Sequence, residues 1–181
     1  RTKKEPTMSL PASVQHAFEL AKQAATSPLV WLHLGRDTLW LVHESGGSGT
    51  ASLSLDLGTE STARLFFRAD LPRPLELERA IDHVEDELMR AVAWSGGHTM
   101  LATEHPLVRG LAPGAAVLQR DAVEALFQRL VSGALGDPSA LKGLPSGREA
   151  AATLLILREL MHHLGFNQVV VAPPSPDAAL P

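Results

Sequence analysis

Four consecutive residues, Gly35-Arg36-Asp37-Thr38, join two short apolar runs, Leu29–Leu34 and Thr38–His43. A glycine lets backbone approach an oxyanion closely, and a guanidinium grips phosphate with two parallel hydrogen bonds. Gly35, Arg36, Asp37 and Thr38 are therefore the candidate phosphate-binding residues. The competing reading is a plain hairpin turn, in which Asp37 bonds nearby backbone and neutralises Arg36. Other groups carry weaker signals. The run Ser45–Gly49, "SGGSG", has the composition of a phosphate cradle. It lacks a following helix and a P-loop lysine, and reads as a flexible hairpin loop. Ser146-Gly147-Arg148 opens a long apolar segment, where Ser146 reads as an N-cap beside a solvated arginine. The chain has 8 histidines, yet HExxH is absent. His162 and His163 are neighbours and point to different sides of a helix. His83 with Glu87, and Glu78 with Asp82, are i, i+4 pairs without a third ligand, as on a solvated helix face. His98, Glu104 and His105 flank a short strand and are the better metal option. No catalytic residue and no metal site is assigned from these patterns.

The elements that must position these groups follow from periodicity. Ser13–Ala25 has helical spacing at Val14, Ala17, Phe18 and Ala21, with Ser13 as the expected cap. Leu29–Leu34, Thr38–His43 and Thr50–Leu57 read as an antiparallel meander. The third alternates strictly and is the expected exposed edge. Thr59–Arg68 is a short helix or irregular turn. Leu75–Trp94 carries Leu77, Ile81, Val84, Leu88 and Val92 on one face, with Pro74 near its start. His98–Thr103 is a fourth strand, followed by a loop containing Pro106 and Pro113. Asp121–Val131 is an amphipathic helix with Asp121 as its expected cap. Gly147–Leu164 is a helix closed by Gly165, and Gln168–Val171 is a fifth strand. Trp31, Trp40 and Trp94 are expected in the core or at an interface.

Composition narrows the class. The chain has 181 residues, 45% hydrophobic and 20% charged, which suits one packed domain. A net charge of −4 argues against a nucleic-acid partner. Cysteine is absent, which removes disulfides, thiolate catalysis and Cys-type zinc sites. No apolar run approaches the roughly 20 residues of a membrane span, and no membrane partner is expected. A cytoplasmic location fits. Residues 1–11 are expected to be a disordered leader. The polar stretch before Met8 reads as a linker remnant, or the chain as a piece of something longer. Residues 12–27 form an N-terminal helix, 28–173 the domain, and 174–181 a proline-rich tail. The order βββ, helix, β, helices, β is that of an α/β, ribonuclease-H-like fold of the actin-like ATPase superfamily. It comprises a mixed five-stranded sheet with flanking helices, in a single copy.

Particular segments carry a resemblance. "LHLGRDTLWLVHE", "ASLSLDLGTESTARLFF" with Gly58, "LELERAIDHVEDELMRA" and "LKGLPSGREAAATLLILRELMHHLGFNQVVVA" stand in order over Leu29–Ala172. Together they resemble the second domain of the exopolyphosphatase/guanosine-pentaphosphate phosphatase (Ppx/GppA) family. That resemblance implies phosphoanhydride hydrolysis with magnesium, in a cleft between two domains lined by glycine loops. The sequence departs from each requirement. His33 stands at the aspartate before the first loop, and Arg36-Asp37 replaces its glycine pair. Leu39 or Trp40 replaces the glutamate that follows. "MLATEHP" has no second glycine loop, and "APPSPDAALP" lacks the terminal arginine and glutamate. The first domain, with its own phosphate loop, has no counterpart in the chain.

The expectation is therefore a degenerate exopolyphosphatase-like domain, non-catalytic on its own, acting as a binding or dimerisation module. The alternative is a polyphosphate or guanosine-pentaphosphate phosphatase completed by a missing first domain. Magnesium is the expected cofactor only in that second case. The expected partners are a second copy or a companion domain, and a phosphate-containing small molecule.

Overall fold

The computed structural model describes residues 9–25, 28–45, 49–92, 94, 97, 100–111 and 113–173. Helix α1 spans Ala12–Ala24. Strands β1 (Val30–Leu34), β2 (Leu39–Ser45) and β3 (Gly49–Leu55) follow. Helices α2 (Thr59–Phe66) and α3 (Pro74–Met89) lead to β4 (Met100–Thr103). Then come α4 (Pro106–Leu111), β5 (Val117–Gln119), α5 (Arg120–Ala134) and a 3-10 turn at Pro138–Leu141. The chain closes with α6 (Arg148–His163) and β6 (Gln168–Val171).

The sheet has the order β3-β2-β1-β4-β6-β5. The first three strands are an antiparallel meander, and β1, β4 and β6 run parallel. This is the mixed α/β architecture expected from the element order. It has six strands rather than five. The extra one, β5, is three residues long, pairs antiparallel with β6 and runs straight into α5. Three residues are too few for a period-2 pattern to show.

Several boundaries differ from the sequence reading. Asp121 is not the cap of α5, because strand residue Gln119 occupies that position. Ser13 does not cap α1, which starts after Pro11. Thr59–Phe66 is a true helix, and the stretch after Pro106 forms a helical turn rather than a loop. Helix α3 ends at Met89, short of Trp94. The leader at 1–8, the residues 26–27, the glycines of the 46–48 loop, His98 and the tail at 174–181 lie outside the described residues.

Side chains alternate across the sheet and separate two cores. Val30, Leu32, Leu34, Leu39, Leu41, Leu101 and Val169 face α2, α3, α5 and α6, and pack in one large cluster. Trp31, Trp40, Val42 and Ala102 face the other way and form a second cluster with Val14, Ala17 and Phe18 of α1. The N-terminal helix thus has its apolar face buried against the back of the sheet. Trp40 is core, not surface. No described helix is long and apolar enough to cross a membrane.

Phe18 is 1% exposed. Truncation to alanine should cost about 3–5 kcal/mol by removing transfer energy and leaving a cavity. Urea unfolding of Phe18→Ala measures this, and its tryptophan emission should shift to the red as Trp31 and Trp40 gain water.

Candidate functional site

The carboxyl ends of parallel strands are where open α/β sheets place their ligands. Here that edge gathers the turn after β1, the residues after β4 and the start of α2. Gly35 N–H donates to the Thr38 carbonyl at 3.0 Å and closes the turn. A Cβ on Gly35 would sit 2.7 Å from that same oxygen, so the tight closure requires glycine.

The turn does not stand free. Its carbonyls cap α2: Thr59 N–H donates to the Gly35 oxygen, and the N–H groups of Glu60 and Ser61 donate to the Arg36 oxygen, each at 3.0 Å. Gly58 N–H, at the N-cap, donates to Ser61 Oγ at 3.2 Å. The four amides that a helix N-terminus usually offers an anion are all bonded. Contact is so close that a Cβ on Gly58 would lie 2.1 Å from the Arg36 oxygen.

Side chains repeat the docking. Arg36 Nε donates to Glu60, and Asp37 accepts from Arg64 at 3.4 Å. The Glu60 hydrogen bond holds the Arg36 guanidinium above its usual range, and the same bond lowers Glu60. The charges of Arg148 and Glu149, at the start of α6, also act on this pair. The N-cap of α6 is Gly147 at φ +102°, not Ser146. Of the four candidate phosphate residues, Arg36 and Asp37 are exposed, while Gly35 and Thr38 are half-buried.

Beside the turn, His33 lies in β1 and His105 lies just beyond the end of β4. The paired register of β1 and β4 covers Val30 with Leu101 and Trp31 with Ala102, and His33 and Glu104 follow further along the two segments. Burial lowers the His33 pKa, and the Glu104 charge opposes that shift. Burial lowers His105 further, to about 4, helped by the charge of His33. The backbone N–H of His105 donates to Thr103 Oγ1 at 3.2 Å, and the ring Nδ1 is buried without a hydrogen-bond partner among the described residues. Both shifts favour the neutral ring, a state unsuited to holding phosphate by charge.

A second feature adjoins the turn through Arg64. Arg64, Arg68, Arg73 and Arg79 line one cleft of about 470 Å³ between α2 and α3, with Leu65, Phe66 and Leu75 as its apolar wall. Glu76, its acidic residue, is engaged by the backbone N–H of Arg73 at 3.0 Å. Among the described residues Arg68, Arg73 and Arg79 form no ion pair. Sequence reading missed this cleft. Arg64 and Arg68 are spaced i, i+4, a visible signal, but Arg73 and Arg79 join them only because α3 folds back beside α2.

Solved structures share this architecture. A Ppx/GppA family member from Aquifex aeolicus superposes with a TM-score of 0.65 at 16% identity, over 90% of this chain and 56% of its own. The chain has the fold of the Ppx/GppA phosphatases. An exopolyphosphatase from Cytophaga hutchinsonii gives 0.61 at 13% identity, over 84% and 56%. An exopolyphosphatase-like protein gives 0.66 at 12%, over 81% and 56%. The chain therefore spans little more than half the length of these Ppx/GppA structures. Neither a protein-family model nor a curated protein matches the sequence.

Two outcomes follow. Gly58→Ala should destabilise the domain by about 1–3 kcal/mol, since backbone must move to admit the methyl; denaturant titration tests it. His105 takes up a proton at pH 6.5 when unfolded but only near 4 when folded. Its contribution is therefore present above about pH 6.5 and lost as pH falls toward 4. The stability of His105→Gln should fall less steeply than wild type across that window.

Proposed function

We propose that this chain is a Ppx/GppA-type module that binds a phosphate chain without hydrolysing it on its own, in the cytoplasm. The observation that carries this reading is the pairing of a closed turn with an open arginine cleft. The amides at the start of α2 are bonded to the carbonyls of Gly35 and Arg36 and to Ser61 Oγ. Arg36 and Asp37 are matched by Glu60 and Arg64. His33 takes the position at which the resembling family has an aspartate, so a carboxylate that could orient magnesium and water is missing there. Hydrolysis of a terminal phosphate depends on such positioning and charge. The guanidiniums of Arg68, Arg73 and Arg79 in the neighbouring cleft supply the attraction for linked phosphates, and a guanidinium fork matches phosphate geometry. In this reading the module works through binding, alone or paired with a second copy.

A second reading rests on length. The matched Ppx/GppA structures are nearly twice as long as the part this chain covers, at 55–57%. A companion domain would then complete a magnesium-dependent phosphatase, with Gly35 and Thr38 facing it.

The test combines melting with phosphate release. Tripolyphosphate at about 100 times its dissociation constant should add roughly 2.7 kcal/mol to stability, several degrees for a domain of this size. The shift should not require magnesium, and no phosphate should be released. Arg68→Ala with Arg79→Ala should abolish it. Release of phosphate, or a shift that depends on magnesium and on Arg36, would favour the phosphatase reading. No shift with wild type would overturn phosphate-chain binding.

A further inference from the structure

Away from the sheet edge, α3 and α6 bring together Glu85, Glu159 and His163. His163 Nε2 lies 3.2 Å from Glu85 Oε1 and 3.4 Å from Glu159 Oε2. One donor atom from each residue falls within 4.8 Å of the others. Glu159 and His163 share one helix face at i, i+4, and Glu85 arrives from 78 residues away in sequence.

Glu159 makes this cluster more than a surface group of acids. Its side chain is 0% exposed. Oε1 is held by Arg158, whose Nε is in turn held by Glu124 at 2.8 Å. Oε2 is buried and has no hydrogen-bond partner. A buried carboxylate oxygen left without a donor is costly. One proton on His163 Nε2 cannot cure this, because its nearer acceptor is Glu85.

We propose that Glu85, Glu159 and His163 bind one divalent transition-metal ion of the zinc class. Metal bonds of about 2.1 Å at tetrahedral angles place donor atoms roughly 3.4 Å apart, and the two distances to Nε2 fit that spacing. Imidazole nitrogen and carboxylate oxygen are zinc's ligands. The ion takes the place of the Nε2 proton and satisfies Oε2 at the same time. Three carboxylates, Glu85, Glu124 and Glu159, against one guanidinium, Arg158, leave two negative charges for a divalent ion to cancel. Arg158 fixes the Glu159 carboxylate from outside, as supporting groups of metal ligands do. Glu85 and His163 are partly exposed, which gives an entry path and leaves a fourth position for water. His162, the adjacent imidazole, is exposed and takes no part. The ion would clasp α3 to α6, and this inference is independent of the phosphate-chain reading.

The metal-stripped chain should bind one zinc ion per chain by calorimetry and melt at a higher temperature with it. Cobalt(II) in its place should show the strong visible absorption of a tetrahedral site. Glu85→Gln and His163→Gln should each weaken zinc binding roughly tenfold or more, while His162→Gln leaves it unchanged. Glu85 is half-exposed, so its variant keeps the test valid even where Glu159→Gln fails to fold. Absence of stoichiometric binding, or binding that survives both Glu85→Gln and His163→Gln, would overturn the proposal.

Discussion

Helix α6 is the constraint on which the remainder of this structure rests. From Ala150 to Met161 every residue except Arg158 is buried. A helix apolar on nearly all sides cannot sit on a surface; other elements must enclose it. Accordingly α2, α3, α4 and α5 all pack on it, and it presses them against the sheet. The alanines at its start, Ala150 to Ala152, admit close neighbours, and Thr153 satisfies its hydroxyl within the helix by donating to the Glu149 carbonyl at 2.8 Å. Glu159 is the exception. Arg158, from the same helix, holds its Oε1, while Oε2 is left facing His163 and Glu85 without a hydrogen-bond donor among the described residues.

The turn after β1 is shaped by what it docks against. A loop that cradles an oxyanion points amide hydrogens at empty space. Here the turn points carbonyl oxygens at the amides of α2. Gly58, by lacking a side chain, lets the two backbones meet. Arg36 and Asp37 then lock the contact with Glu60 and Arg64, although these exposed pairs add little energy individually. The hydrogen bonds and the buried glycine contact do most of the holding.

The sheet is buried on both faces near its centre, which explains why β1 and β2 read as continuous apolar runs while β3 alternates. The larger face belongs to α2 through α6, and among the described residues the smaller one is covered by α1 and its flanks. By lying on Trp31, Trp40, Val42 and Ala102, α1 covers apolar surface that the sheet would otherwise expose.

The sequence determined the order of the longer elements, because long amphipathic helices and a clean alternating strand announce their own period. Leu77, Val84 and Leu88 marked α3, and Leu53 and Leu55 marked β3. It also determined that Gly35 to Thr38 form a tight turn, since residue types alone specify turns. Local pattern could not show what that turn touches, since Arg36 meets Glu60 and Asp37 meets Arg64 only after α2 folds back. The same holds for the arginine cleft and for Glu85, Glu159 and His163. Strand β5 was hidden because three residues carry no period, and it is held by its pairing with β6. Helical and strand spacing are written within a few neighbouring residues. Sites are made by side chains far apart in the chain, and only packing around α6 decides which of them meet.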